Sequence, residues 1–227
     1  MFSIVAMILV LGVTVSLAAT LVYILSKYFG NLPPGPAKMK KEVNKLKASV
    51  ATWFGDLVPW DTEEMEKLSL NQLNNKIQKG LQRSGKGIFT SIYHEPMIAY
   101  AFKKYAGKNQ ALVYAKTSHH EYAFRINGSN VDVWMDDRPL GKLKEDGTLL
   151  GAKTMKPIAR LGQSLDTKAL PIVVNDRNLA TLTLPGNEKS LNPRAFELLN
   201  KMDEKEEAVL LSLAILEMVK PEVEKVK

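Results

Sequence analysis

The imidazole and thiol groups available to this chain are few: three histidines, His94, His119 and His120, and no cysteine. Without cysteine there is no disulfide framework, no thiolate metal site and no sulfur nucleophile. His119 and His120 are neighbours, and on an extended chain neighbouring side chains point to opposite sides, so they do not converge on one metal ion. Asp132, Asp136 and Asp137 are the carboxylates closest to a pair for acid–base work. Their setting reads instead as a hairpin turn, where aspartate is common because its short side chain bonds to nearby backbone. Ser84-Gly85-Lys86-Gly87 has the residue types of a phosphate-cradling loop without its spacing, and strand-type residues follow rather than a helix, so it reads as a simple loop. No Gly-x-Ser-x-Gly elbow, His-Glu-x-x-His helix or dinucleotide fingerprint occurs. The expectation is a non-enzymatic protein with no metal and no cofactor.

The cations are the better candidates. Residues 27–58 contain Lys27, Lys38, Lys40, Lys41, Lys45 and Lys47 against Glu42 and Asp56, which places +4 of the net +7 there. Lysine and arginine are natural donors to phosphate. The candidate phosphate-binding set is therefore Lys38, Lys40, Lys41, Lys45 and Lys47, with Arg83, Lys86, Lys103, Lys104, Lys108 and Lys142 further along. Charge concentrated in one short stretch argues against nucleic acid as a partner and for an anionic surface.

That stretch follows an apolar segment. Residues 2–26 carry no charge, and at about 1.5 Å each they reach roughly 37 Å, enough to cross a hydrocarbon core of about 30 Å. Thr14, Ser16 and Thr20 can bond back to the helix, and Tyr23 and Tyr28 sit where an aromatic belt belongs. Only three residues precede the apolar run, so there is no basic n-region of a cleaved signal, and a retained anchor is expected. Basic flanks stay in the cytoplasm, which predicts the N-terminus outside and the domain inside.

Residues 31–36 (NLPPGP) break the helix. Met39, Val43, Leu46 and Val50 then recur at helical spacing among lysines, leading to Trp53, Phe54 and Trp60. Two readings of this basic amphipathic helix stand side by side: it lies in the headgroup region with those aromatics at the membrane interface, or its apolar stripe packs on the domain. Two capping boxes, at Asp61 to Glu64 and at Ser69 to Gln72, with Leu70, Leu73, Ile77 and Leu81 beyond, predict a helical segment over 61–86.

From residue 88 the period becomes that of strands. Short runs at 88–93, 97–105, 111–117, 121–126, 131–135, 140–143, 148–150, 157–161, 172–174 and 179–184 alternate with turns, of which Asn127-Gly128 is the strongest hairpin signal. Near the end, Asp203 with Glu206 makes a capping box, and residues 208–219 (AVLLSLAILEMV) are apolar on every side. Such a helix must be buried on every side, and at about 18 Å it is too short to span. The acidic start and the basic end (Lys220, Lys225, Lys227) suit the helix dipole. The pattern predicts an α+β chain: an N-terminal transmembrane helix plus an antiparallel β-barrel-like domain closed around a C-terminal hydrophobic helix. The divisions are 1–27 anchor, 28–60 basic juxtamembrane connector, 61–86 helical segment and 87–227 strand-rich domain.

Residues 202–211 (MDEKEEAVLL), continuing to Glu217, are similar to the last helix of phospholipid scramblases, and 131–147 resemble the hairpins of the LURP-one-related proteins. Over roughly 88–219 the chain thus resembles the tubby-like fold that these families share. The resemblance implies a barrel that binds membrane lipid headgroups. Residues 192–197 (NPRAFE) stand where an acidic calcium segment belongs and hold one acid and one arginine, a departure from the family pattern on which calcium binding, and scrambling with it, would depend. Function is expected to be the binding of anionic phospholipid headgroups at the cytoplasmic leaflet by a tethered domain. The alternative is an accessory or assembly subunit of a larger membrane complex, for which Gly12, Ser16, Ala18, Ala19 and Thr20 allow close helix approach.

Overall fold

A computed structural model describes residues 2–80, 83–107, 109–162, 169–183 and 193–226. Helix α1 (Phe2–Gly30) is exposed from Ile4 onward except for half-buried Lys27 and is long and apolar enough to cross a membrane. Thr14 and Thr20 donate their hydroxyls to the carbonyls of Leu11 and Ser16, both at 2.9 Å, so neither leaves an unmet donor on the apolar surface. Helix α2 (Pro36–Val50) follows, then a 3-10 turn (Ala51–Asp56) and the short α3 (Thr62–Met65), which Asp61 caps by accepting from the Glu64 amide.

Among the described residues twelve strands form one antiparallel sheet in which each strand pairs with the next in sequence. They are β1 (Leu68–Gln78), β2 (Arg83–Ser91), β3 (Pro96–Lys104), β4 (Gln110–Lys116), β5 (Glu121–Asn127) and β6 (Asn130–Met135). Beyond these come β7 (Arg138–Leu143), β8 (Thr148–Gly151), β9 (Pro157–Leu161), β10 (Ala169–Val174), β11 (Arg177–Thr183) and β12 (Phe196–Leu198). The meander nearly closes on itself: Ser69 of β1 bridges Arg194, with Leu70 donating to the Pro193 carbonyl and Ala195 to that of Leu68. Closure of this kind removes most of the exposed edge that an open sheet leaves.

The tight turns follow backbone chemistry. Asp136-Asp137 and Asn175-Asp176 hold both residues at positive φ, as two-residue hairpins of this twist require. The hairpin expected at Asn127-Gly128 is present, but β5 runs through Asn127, and of these two only Gly128 takes positive φ.

Alternate residues of the strands point inward. Tyr100, Phe102, Tyr122, Phe124 and Phe89 are fully buried in the core, as are Leu210, Leu213, Ala214 and Leu216 of α4 (Glu204–Lys225). The expected capping box is in place: the Glu206 amide donates to Asp203 and the Asp203 amide to Glu206. The helix continues past residue 219 through Pro221, and two charged residues share its burial. Glu206 is paired with Arg177 at 3.0 Å, and Glu222 receives bonds from Gln72, Asn75 and Lys225.

Three expectations are corrected. The helix placed over 61–86 is a single turn followed by β1 and the start of β2, so the strand-rich body begins at Leu68. Leu70 and Ile77 pack on the core, whereas Leu73 is exposed. Bulges between Leu68 and Gln72 and between Leu73 and Lys76 break the strict alternation of the strand. The result imitates helical spacing, although asparagine-rich 71–75 has little helix preference. Ser69 does not cap a helix; its hydroxyl donates to the Pro193 carbonyl and accepts from the Asn71 amide.

Ser84 to Gly87 is strand rather than loop, with its glycines turned to the interior where rings stand above them. The connector aromatics are not free for an interface. Trp60 is buried in the main core, and Trp53 and Phe54 pack on the outer face of the sheet.

Candidate functional site

Helix α2 resolves the two readings of its amphipathic face. Met39, Leu46 and Val50 are buried against Ala99, Ala101, Leu112 and Tyr114 on the outer face of β3 and β4. The apolar stripe is thus spent on the domain, and only the lysine side of the helix is turned outward. Lys38 and Lys41 are exposed and, among the described residues, have no carboxylate partner. Lys40 approaches Asp137 at 4.0 Å, and both side chains are exposed. Lys45 donates to Glu42 at 2.5 Å, and Lys47 is bound by Glu121 at 2.6 Å.

The other predicted cations divide in the same way. Lys86 donates to the Ser49 carbonyl at 2.7 Å and lies over the Trp53 ring, so it fastens the end of α2 to β2. Lys103 bonds Glu42 at 3.0 Å and the Gly30 carbonyl at 3.2 Å. Lys142 pairs with Asp132 at 3.4 Å beside Arg125. Lys104 reaches the Val223 carbonyl near the end of α4 at 3.3 Å. Arg83 is half-buried. Lys108 lies outside the described residues. Tyr23 and Tyr28 are exposed on α1.

Partial burial acts to raise the Glu42 carboxyl, but the hydrogen bonds and charges of Lys45 and Lys103 outweigh it and hold the group below its ordinary value. The Glu42–Lys103 pair is therefore a strut between α2 and β3, and Lys103 is not at liberty to meet a ligand.

What the fold gathers is an end of the barrel. The β3–β4 turn receives α1: Ala106 donates to the Asn31 carbonyl at 2.8 Å, next to the Lys103–Gly30 contact. The β1–β2 hairpin opens at the same end, because Arg83 pairs in register with Lys104 and Ser84 with Lys103. Lys76 and Lys79 stand exposed there, and Lys76 is opposite Lys86. Like charges placed directly across a pair of strands repel. Arg83 facing Lys104 and Lys76 facing Lys86 thus set like charges across both strand pairs at this end, where the end of α4 (Glu222, Glu224) and the β7–β8 turn (Glu145, Asp146) supply the nearest carboxylates. The far end is the reverse, holding the acidic first turn of α4 (Glu204, Glu206 and Glu207) and the turn residues Asp136, Asp137 and Asp176.

Lys76 and Lys79 were missed from sequence because their segment reads as a helix, in which they would not share an end with Lys103 and Lys104. The strand register alone brings them there.

The histidines do not assemble. His119 packs edge-on against Trp60, His120 Nδ1 lies 2.7 Å from Asp136 Oδ2, and His94 sits in the β2–β3 turn at positive φ. Asp132 is taken up by Arg125 and Lys142. Compared with protein-family models, curated proteins and solved structures, the chain finds no match in any of the three.

Proposed function

We propose that this chain is a single-pass, membrane-tethered, non-enzymatic domain that binds anionic phospholipid headgroups at the cytoplasmic leaflet. The reading rests on one observation: the barrel end that receives α1 gathers Lys76, Lys79, Arg83 and Lys104, and the lysine face of α2 starts only a few residues beyond the apolar helix. A cation near an anionic bilayer contributes about 1 kcal/mol. The acidic far end turns the same field to orientation, because it is repelled from the surface that attracts the near end. In this reading α1 crosses the bilayer with its N-terminus outside, and the sheet closes around α4 as its core, as in the tubby-like fold that the sequence resembles.

The test is binding of residues 31–227 to vesicles with and without phosphatidylserine. Binding should require the anionic lipid, weaken as salt is raised, and fall by about fivefold for each of Lys38→Glu and Lys41→Glu. Equal binding to neutral vesicles, or none to anionic ones, sinks the reading.

A second reading, an accessory subunit of a larger membrane complex, is favoured by the small residues of α1. Nothing stands within 4 Å of the position a Cβ would take on Gly12, so a partner helix has room to approach there. Purification of the full chain in mild detergent separates the two: a stoichiometric membrane partner supports the subunit, and enriched anionic lipid without one supports the lipid-binding domain.

A further inference from the structure

A cleft of about 230 Å³ opens at the far end of the barrel, where the first turn of α4 meets the residues that lead into α3. Buried Trp60 and Leu211 give it apolar walls, and the β4–β5 turn adds His119. The Trp60 and His119 rings meet edge to face with their centroids 6.4 Å apart. Asp61, Glu204 and Glu207 complete the lining. The volume falls below the roughly 300 Å³ at which cofactor-sized sites begin, and suits a single side chain.

The charge in the cleft is one-sided. Three carboxylates line it and, among the described residues, no lysine or arginine does. Asp61 accepts the Glu64 amide at 2.8 Å and Glu207 the Thr62 hydroxyl at 2.9 Å. Both donors are neutral and leave the two charges unanswered. Glu204 is exposed and, among the described residues, has no side-chain partner.

The other unanswered group is a donor. Trp60 is 6% exposed, and its indole nitrogen is buried with no hydrogen-bond partner. An indole N–H can only donate, so what meets it must be an acceptor. The carboxylates call for a cation and Trp60 for a carbonyl or its equivalent. A basic residue within a polypeptide carries both, a few bonds apart.

We infer that this cleft seats one arginine of a basic segment on a partner protein. The guanidinium is a planar fork of N–H donors that also packs on aromatic rings. It takes Glu204 and Glu207, which are neighbours on one face of α4 at i, i+3, and lies against Trp60 and His119. A carbonyl of the same segment accepts from Trp60. The cleft is at the opposite end of the barrel from α1 and does not depend on the basic end binding lipid.

The test is fluorine NMR of the full chain in neutral-lipid nanodiscs, labelled with fluorotryptophan and titrated with acetyl-Gly-Arg-Gly-amide. The Trp60 resonance, assigned by its loss in Trp60→Phe, should shift to saturation while those of Trp53 and Trp134 stay in place. The same peptide with citrulline keeps the shape, loses the charge and should bind about tenfold more weakly. With lysine it should bind about threefold more weakly. Glu204→Gln and Glu207→Gln should each weaken the arginine peptide about fivefold, and exposed Glu204 can be changed without touching the packing. The proposal is overturned by an unmoved Trp60 resonance, by equal affinity for the citrulline peptide, or by both glutamine variants binding as the parent does. Agmatine, which has the guanidinium and no carbonyl, binding as tightly as the peptide would assign the cleft to a free cation and overturn the protein partner equally.

Discussion

Gly87 lies opposite Tyr100 in the pairing of β2 with β3, and a Cβ on Gly87 would stand 2.8 Å from the Tyr100 hydroxyl oxygen. Gly85 has the same relation to Phe102, at 2.5 Å from a ring carbon. The two rings stack nearly parallel, 6.5 Å apart, and Tyr100 stacks further on Phe89 at 4.9 Å. The glycines of Ser84 to Gly87 are thus a clearance for aromatic rings laid across the inside of β2, and the lysine between them faces outward to Trp53.

The Tyr100 ring has little freedom to yield, because its hydroxyl donates to Gln72 at 2.7 Å. Gly87→Ala is therefore expected to destabilise the domain by about 1 to 3 kcal/mol, the range for forcing an extra methyl group into a packed core. Urea unfolding followed by tyrosine fluorescence measures it. A midpoint within error of the parent would show that the ring moves aside freely.

Arg83 facing Lys104 separates stability from binding. Removing one of two like charges held across a strand pair relieves repulsion of a few tenths of a kcal/mol to about 1 kcal/mol. Arg83→Ser should raise the urea midpoint slightly while weakening attachment of residues 31–227 to anionic vesicles. If stability and attachment both fall, the pair is held together by something other than a lipid phosphate.

Acid should loosen the ties that hold α2 and the end of α4 to the sheet. Burial acts to raise the Glu222 carboxyl, but bonds from Lys225, Asn75 and Gln72 outweigh it and hold the group below its ordinary value of 4.5, as Lys45 and Lys103 do for Glu42. A carboxyl whose folded value is depressed contributes stability that is present above its unfolded value and is lost as pH falls through the folded one. The urea midpoint should be flat from neutral pH down to about 5 and fall below about 4.5. Glu42→Gln should start lower and fall less steeply, since its contribution is gone at every pH. An unchanged acid limb in that variant would rule out the strut between α2 and β3 as a source of the acid sensitivity.

Much of the architecture is legible in the chain because its signals are local. A long uncharged run defines α1 on length alone, and an apolar stretch behind the Asp203–Glu206 capping box defines α4 and the burial of all its sides. The alternation from residue 88 onward marks the strands from β3 to β11 to within a few residues, since side-chain period is a property of consecutive residues. Where those signals are broken by bulges, as in β1, the local period misleads, and the strand is set by pairing with β2.

The site depended on the tertiary structure. A lysine in a sequence is only a charge; whether it is free depends on a partner that can be far away along the chain. Lys47 meets Glu121, Lys86 meets the Ser49 carbonyl, and Lys104 meets the Val223 carbonyl. Lys38 and Lys41 are left over because the apolar stripe of α2 turned to the barrel. The cleft beside Trp60 exists because the first turn of α4 meets Asp61 and the β4–β5 turn at one end of the barrel. Composition and periodicity reach only across neighbours in sequence, whereas ion pairs, register and cavities are made by contacts that the closing of the sheet brings together.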